Sequence, residues 1–286
     1  MTADKLTVPR DSFNPYLIQG PALISFSGGR TSAYMLHQII QAHGGTLPDD
    51  VRVTFANTGK ELPETLRFVH ECGVRWGAPI VWLERGPRGV LHITGYNSAS
   101  RAGQPFDALL DEKSAVPDWQ ARWCTGELKV LPMMAYAASL GWEPGSYQEA
   151  IGLRDDEGHR LLKMYARNEK DGRHCIAPLS KAKVVKADVM AFWAAQDFDL
   201  ELEPWEGNCD FCFATGKRVR LARARRRPDV PRWWAAAETR LGHTFDRRDS
   251  VADLVAEAHR TPDLFDNLAA DDYDVECGLL CEPEAA

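Results

Sequence analysis

The chain has no run of about 18 apolar residues, the least that spans a membrane as a helix. Its opening, MTADKLTVPRDSFNPYLIQG, lacks a basic start followed by an apolar stretch. Neither secretion nor membrane spanning is expected, and the sequence reads as a cytoplasmic protein with no membrane partner. It has no internal repeat, which excludes solenoids and propellers. It has no excess of positive charge: a formal net charge of −7 speaks against a general nucleic-acid binder. Seven cysteines, an odd number without an export signal, do not read as a disulfide framework. They read as reduced thiols, metal ligands or a nucleophile.

What is present is ordinary globular composition, 44% hydrophobic and 26% charged over 286 residues, enough for a sizeable core. The expected organisation is an α/β domain over 1–200, with an irregular insertion at about 86–122, and a helical, cysteine-containing region over 201–286 ending in a mobile acidic tail. Residues 22–26 (ALISF) form an apolar run that ends in a Ser/Gly cluster and is followed by apolar residues at helical spacing. Strand, tight loop and helix recur over 51–76, and a third strand follows at 80–83. Helices are expected at 128–140 and 184–195, and a strand at 147–152. This alternation predicts an α/β fold, a Rossmann-like, doubly wound and mostly parallel sheet with ligands at the carboxyl ends of its strands.

Three loops fall at those ends. In SFSGGRTS (25–32), Gly28 and Gly29 can take positive φ and let backbone N–H groups approach an anion, while the following helix points its positive end at it. Ser25, Ser27, Thr31 and Ser32 bring hydroxyl groups and Arg30 a charge. FANTGKELPET (55–65) puts Asn57, Thr58 and Gly59 on the same sheet edge, where a base or ribose commonly lies. IGLRDDEGHR (151–160) adds Gly152 and two forked guanidinium donors, Arg154 and Arg160. An ordinary strand-to-helix turn is the alternative for any one loop alone; together they point to a bound nucleotide.

With RWCTGELK (122–129) and APLSKAKVVKADVMAFW (177–193), these segments give five motifs in order, and over about residues 20–215 the chain resembles the phosphoadenosine phosphosulfate (PAPS) reductase family of the adenine-nucleotide α-hydrolase superfamily. The resemblance implies a Rossmann-like sheet binding an adenine nucleotide, whether PAPS, APS or ATP. It also implies a thioredoxin-type reductant as partner. Thr31 stands where ATP pyrophosphatases carry an aspartate, which weighs against magnesium-dependent ATP cleavage, and Arg30 suits an anion bound without that acid.

Cys209 and Cys212 form a C-x-x-C whose spacing lets two thiolates reach one metal. Cys124, in RWCTGELK, joins them in the resemblance, which extends to sulfur-transfer proteins of DNA phosphorothioation systems and implies a [4Fe-4S] cluster. Zinc is the alternative for the same thiolates. The cluster-bearing reductases carry two adjacent cysteines where this chain has Trp123 and Cys124, so the fourth ligand falls to Cys281, Cys277 or Cys175, or the fourth position stays open. Glu276-Cys277-Gly278-Leu279 resembles the reductases' C-terminal segment, with Leu280 in place of a histidine. That resemblance makes Cys277 the nucleophile on the sulfonucleotide sulfur, with Lys129 or Arg154 favouring its thiolate; the competing role is cluster ligand. Cys72 reads as a core thiol.

The implied reaction is thiol-dependent reduction of a sulfonucleotide to sulfite. The alternatives are ATP-dependent, cluster-assisted sulfur transfer onto a nucleic acid and a non-catalytic nucleotide-binding role. The run at 217–227 reads as an amphipathic helix with a basic face, either a solvated surface or a receiver of nucleic acid, with Trp233 and Trp234 in the next helix. A homo-oligomer is expected.

Overall fold

The computed structural model describes residues 14–260. Its centre is a six-stranded sheet in the order β4-β3-β2-β1-β5-β6. The strands are β1 (Ala22–Ser25), β2 (Val51–Ala56), β3 (Ile80–Arg85), β4 (Leu91–Thr94), β5 (Gln148–Ile151) and β6 (Cys175–Ile176). All neighbours are parallel except β4, which folds back on β3. The expected doubly wound α/β sheet is what forms.

Alternation decides which face each residue serves. Ala22, Ile24 and Phe26 join one core with Val53, Phe55 and Val69, whereas Leu23 joins the other with Leu83, Met133 and Met164. The first face is covered by α1 (Arg30–Ala42), α2 (Pro63–Arg75) and α8 (Lys186–Ala194), the second by α5 (Leu131–Ser139) and α6 (Gly158–Asp171). Helix α2 shows why the sequence coils there: Pro63 sits at its first position, and Thr65, Leu66, Phe68, Val69 and Cys72 are buried on one stripe.

The chain runs outward from β1 to β4, then crosses to the other side of β1 for β5 and β6. The strand order therefore reverses beside β1, and in a doubly wound sheet that switch point, between the carboxyl ends of β1 and β5, is where a ligand crevice forms. Ser25 is in register with both Thr54 and Ile151, so the loops after β1, β2 and β5 leave one edge side by side.

The segment expected to be irregular is not wholly so. It contains β4 and a ten-residue helix, α3 (Gln104–Lys113), with Phe106, Leu109 and Leu110 buried. That i, i+3, i+4 stripe lies in a stretch rich in glycine, proline and serine, which conceals it. Helix α3 shares a third core with α9 (Lys217–Arg226), α10 (Pro231–Leu241) and α11 (Val251–Arg260) through Phe106, Phe211, Phe213, Trp234, Phe245 and Val251. Trp234 is thus core. Between α3 and α5 runs a short α4 (Trp123–Thr125) continued by a π turn, Gly126–Val130, and before α8 lies α7 (Pro178–Lys181). No helix among the described residues is long and apolar enough to cross a membrane.

The arginine run forms α9 as expected, but not with a free basic face. Arg220 and Arg223 are fully buried, with Arg220 on Asp246 at 2.6 Å. Lys217 is paired with Asp249 and Glu257, and Arg227 with Glu206 and Glu64. Part of the cationic run is thus turned inward as a clamp, with acids supplied by Glu64, Glu206 and Asp246 of other segments.

Candidate functional site

The loop after β1 is held open from within. Ser27 N–H donates to Ser32 Oγ at 3.2 Å, the two seryl oxygens lie 2.9 Å apart, and Ser32 Oγ–H reaches the Gly29 carbonyl at 3.0 Å. Gly28 has φ +80°, and a Cβ there would stand 2.7 Å from Thr65 Cγ2. Gly29 is instead extended at φ −99°, so only one of the two glycines expected at positive φ is there. Helix α1 follows with no acidic residue in its first turn, which leaves the positive end of its dipole available to an anion. Gly28→Ala is expected to destabilise the protein by about 1–3 kcal/mol in urea unfolding, from left-handed strain and the threonine clash. Adding Thr65→Ser, which removes that methyl group, recovers part of the loss.

Two of the expected loop residues face elsewhere. Ser25 is buried with Oγ 3.7 Å from Met133 Sδ. Arg30 is taken up by a two-point pair with Asp199, at 2.7 and 2.6 Å, and by the Leu202 carbonyl at 3.1 Å. The carboxylate that claims Arg30 comes from beyond α8, and so its charge is committed to holding that segment against α1.

On the β5 side, Gly152 lets the strand end pass α1 closely: a Cβ would lie 3.1 Å from Ser32 Cα. Arg154 is buried, and its Nη1 donates to Thr31 Oγ1 at 3.0 Å while Nε donates to Asp156 at 2.9 Å. Glu157 accepts the Arg154 N–H at 2.8 Å and also binds the Arg160 guanidinium. Arg154 therefore stands across the crevice from the glycine loop, whereas Arg160 neutralises Glu157 at the start of α6.

The loop after β2 is a scaffold. Asn57 is fully buried, donating to Glu84 at 2.6 Å and to the Ser100 carbonyl at 2.9 Å, and its Oδ1 accepts from Gly59 N–H at 3.1 Å. Thr58 gives both its N–H and its hydroxyl to Glu61, at 2.9 Å each. Gly59, at φ +76°, passes Gly103 of the insertion so closely that a Cβ would lie 3.1 Å from its Cα. Burial raises the Glu61 pKa, opposed by Lys129, whose Nζ is 3.8 Å away, and by the Thr58 bonds. Lys129 is itself buried, in the π turn.

Against this scaffold lies a cleft bordered by Cys124, Cys209 and Cys212 together with Thr58, Arg122 and Lys129. The C-x-x-C loop is sewn to the loop after β2 by an antiparallel bridge between Glu61 and Cys209, with Asp210 N–H on the Lys60 carbonyl at 2.8 Å. A pair between Lys60 and Asp210 at 2.8 Å reinforces it. Asn208 Nδ2 then reaches the Ser27 carbonyl of the glycine loop at 2.7 Å. The cysteines and the glycine loop are thus parts of one hydrogen-bonded assembly.

Among the described residues no three His, Cys, Asp or Glu side chains stand in metal-ligating geometry. Cys277 and Cys281 lie outside the described residues. Cys175 does not join the cleft: it is in β6, buried in the core with Met164, its pKa pushed up to about 12 by burial and then by the Glu149 charge. Cys72 is a core thiol in α2, its pKa likewise raised by burial. Sequence reasoning missed Asn208, Glu61, Lys60 and Asp210. Only Glu61, three residues after Thr58, carried a local sign, since a carboxylate at that offset commonly accepts from a threonine turn.

No family model matches the chain. It is 35% identical over 199 residues to the uncharacterised nin region protein ORF290 of Escherichia phage lambda, a match over 66% of this chain. The chain spans 64% of that relative's length. Among solved structures it is similar to a phosphoadenylyl-sulfate (PAPS) reductase from Candida auris, a phosphate complex, at 18% identity and TM-score 0.39, over 64% of this chain and 79% of that one. It is also similar to a U34-tRNA thiolase from Methanococcus maripaludis with its [4Fe-4S] cluster, at 14% identity and TM-score 0.40, over 84% and 71% respectively.

Proposed function

We propose that this chain is an enzyme of the PAPS reductase-like family of adenine-nucleotide α-hydrolases, in which a nucleotide held at the glycine loop has its sulfur chemistry performed beside Cys124, Cys209 and Cys212. The observation that carries the reading is the bond from Asn208, next to Cys209, to the Ser27 carbonyl, which makes the thiol cleft a direct neighbour of the anion cradle. Five motifs in family order support it from the sequence.

The nucleotide's phosphates lie over the backbone of residues 27–29 and the first turn of α1, with Arg154 closing the far side of the crevice and Thr31 bridging the two. A cation and a hydroxyl suit a sulfonucleotide, whose sulfate needs donors rather than a metal-binding acid. In the reaction, a thiolate, assigned to Cys277 by resemblance, attacks the sulfonucleotide sulfur. The new S–S bond forms as the S–O bond breaks, and the electron pair leaves on the nucleotide phosphate. A second thiolate from a thioredoxin-type reductant then attacks the Cys277 sulfur, releasing sulfite and leaving a disulfide. Lys129, buried at the cleft, provides positive charge near the incoming anions.

The chemistry of the donors, though not their spacing among the described residues, suits a thiolate-bound [4Fe-4S] cluster or zinc. Three thiols border one cleft, and the buried Arg223 near Cys212 and Cys209 has, among the described residues, two nitrogens without a hydrogen-bond partner. Cys124, Cys209, Cys212 and Cys281 are the ligands proposed. When bound, an iron–sulfur cluster supplies a redox-active centre to which sulfur can bind.

The convergence of Cys124, Cys209 and Cys212 on one cleft supports a second reaction on the same site, ATP-dependent sulfur transfer onto a nucleic acid. One experiment separates them. Anaerobically purified protein incubated with radiolabelled PAPS and thioredoxin is expected to release labelled sulfite and, without thioredoxin, to carry label on Cys277. Neither product, together with pyrophosphate release from ATP on addition of RNA or DNA, overturns reduction in favour of transfer.

A further inference from the structure

Arg223 is 1% exposed in the middle of α9, and one hydrogen bond holds it, from Nη2 to the Trp205 carbonyl at 2.8 Å. Among the described residues its Nε and Nη1 have no hydrogen-bond partner. Arg220, as deeply buried three residues earlier, has Asp246 for its charge. Among the described residues Arg223 has no such pair, and burial pushes its pKa down. An isolated cation in this position is costly, so the chain must place an anion there in its working state.

The groups near enough to act on it include Cys212, Glu206, Cys209 and Asp210. The two carboxylates are committed elsewhere. Glu206 is held by Arg227 at 2.7 Å and Arg226 at 3.8 Å, and Asp210 by Lys60 at 2.8 Å and by the Trp234 indole, also at 2.8 Å. The other two groups near it are the sulfurs of Cys212 and Cys209. We propose that Arg223 is a positioning residue and built-in counter-cation for an anionic centre carried on Cys209 and Cys212, its Nε–H and Nη1–H donating to cysteine sulfur or to sulfide of a bound cluster.

The inference rests on the reading that these cysteines hold a metal. It adds that the metal site is completed by a guanidinium from α9, which contributes donors and charge but no ligand. Groups of this kind alter metal affinity and, in clusters, reduction potential through hydrogen bonds to sulfur.

The test uses the full chain, freed of metal, with zinc as probe against a competing chromophoric chelator. Arg223→Met is expected to weaken zinc binding about 10- to 100-fold. It also leaves the metal-free protein no less stable, because an unpaired buried charge has been removed. In cluster-reconstituted protein the same change lowers the midpoint potential, since a nearby positive charge no longer favours the reduced form. Zinc affinity within threefold of wild type overturns the inference, and so does a fall in Tm equal in the loaded and metal-free proteins, because that equality means affinity is unchanged. If Arg223→Met does not fold, Arg223→Lys decides: it keeps the charge but loses the fork, and is expected to bind zinc at least threefold more weakly, with unchanged affinity overturning the inference. Cys124→Ala separates the two levels. Wild-type protein that binds zinc no better than Cys124→Ala defeats the metal reading and this inference together, whereas a zinc site lost in Cys124→Ala but intact in the Arg223 variants defeats this inference alone.

Discussion

Arg154→Leu is expected to weaken adenine-nucleotide binding on the order of 100-fold, about 2.7 kcal/mol. The side chain is buried at the end of β5 and faces the glycine loop through Thr31, so its charge acts on a bound phosphate or sulfate with little screening by water. Truncating one partner of a buried, hydrogen-bonded charge pair commonly costs 2–5 kcal/mol or more, and the expected loss falls within that range. Asp156 and Glu157, which share the guanidinium in the free protein, then face the ligand uncompensated and add repulsion. Arg154→Lys keeps a charge but not the fork, and should recover only part of the affinity. Calorimetric titration with adenosine 3′,5′-bisphosphate measures both. Affinity in Arg154→Leu within threefold of wild type would mean the nucleotide does not lie in the crevice between β1 and β5.

Asp246→Ala is expected to cost about 3–5 kcal/mol of stability, the usual penalty for leaving one member of a buried ion pair behind. Arg220 and Asp246 are each 2% exposed at the carboxylate–guanidinium contact, and Arg248 adds a second cation to the same carboxylate at 3.0 Å. Alanine leaves the Arg220 charge stranded under α9 and loosens the core shared by α3, α9, α10 and α11. Arg220→Met combined with Asp246→Leu, which removes both charges, should be far milder than Asp246→Ala.

The pH dependence follows the same pair. Burial works to raise the Asp246 pKa, but hydrogen bonds from Arg248 and Arg220 outweigh it and hold the carboxyl well below the ordinary range. A carboxyl whose pKa is depressed in the folded state stabilises the protein above the unfolded value, and that stability is lost as the pH falls below about 4. Urea midpoints at pH 7 and pH 3 should therefore differ less in Asp246→Ala than in wild type. An equal difference in both proteins would show that the pair is not what acid titrates.

How much of this was legible beforehand depended on distance along the chain. The sheet and the three loops after β1, β2 and β5 were readable because a strand, its glycine turn and the next helix are encoded within about fifteen consecutive residues. Gly28 and Arg154 lie within such units. Arg30 did not betray its partner, because Asp199 lies 169 residues away, and nothing near an arginine in a phosphate-loop pattern marks a carboxylate that arrives from elsewhere. The arginine run misled for the same reason. A helical wheel places cations around α9, but Asp246, Glu206 and Glu64, which turn them inward, come from three separate segments. Asn57 was placed correctly on the sheet edge, yet its amide is used up holding Glu84 and Ser100 in place, a role that only the folded insertion defines.

The stitching of the C-x-x-C loop to both nucleotide loops has a consequence for how the two halves sense each other. Asn208 grips the carbonyl of Ser27, and Cys209 is bridged to Glu61, so ordering either loop orders the cysteines as well. Under the function proposed above, occupancy would be a shared variable: a nucleotide that stiffened the glycine loop would make the thiol cleft more retentive, and a metal that stiffened the cleft would tighten the nucleotide by the same factor. On that reading, loss of the metal would also weaken nucleotide capture, so that the protein unable to do the chemistry would hold its nucleotide least well.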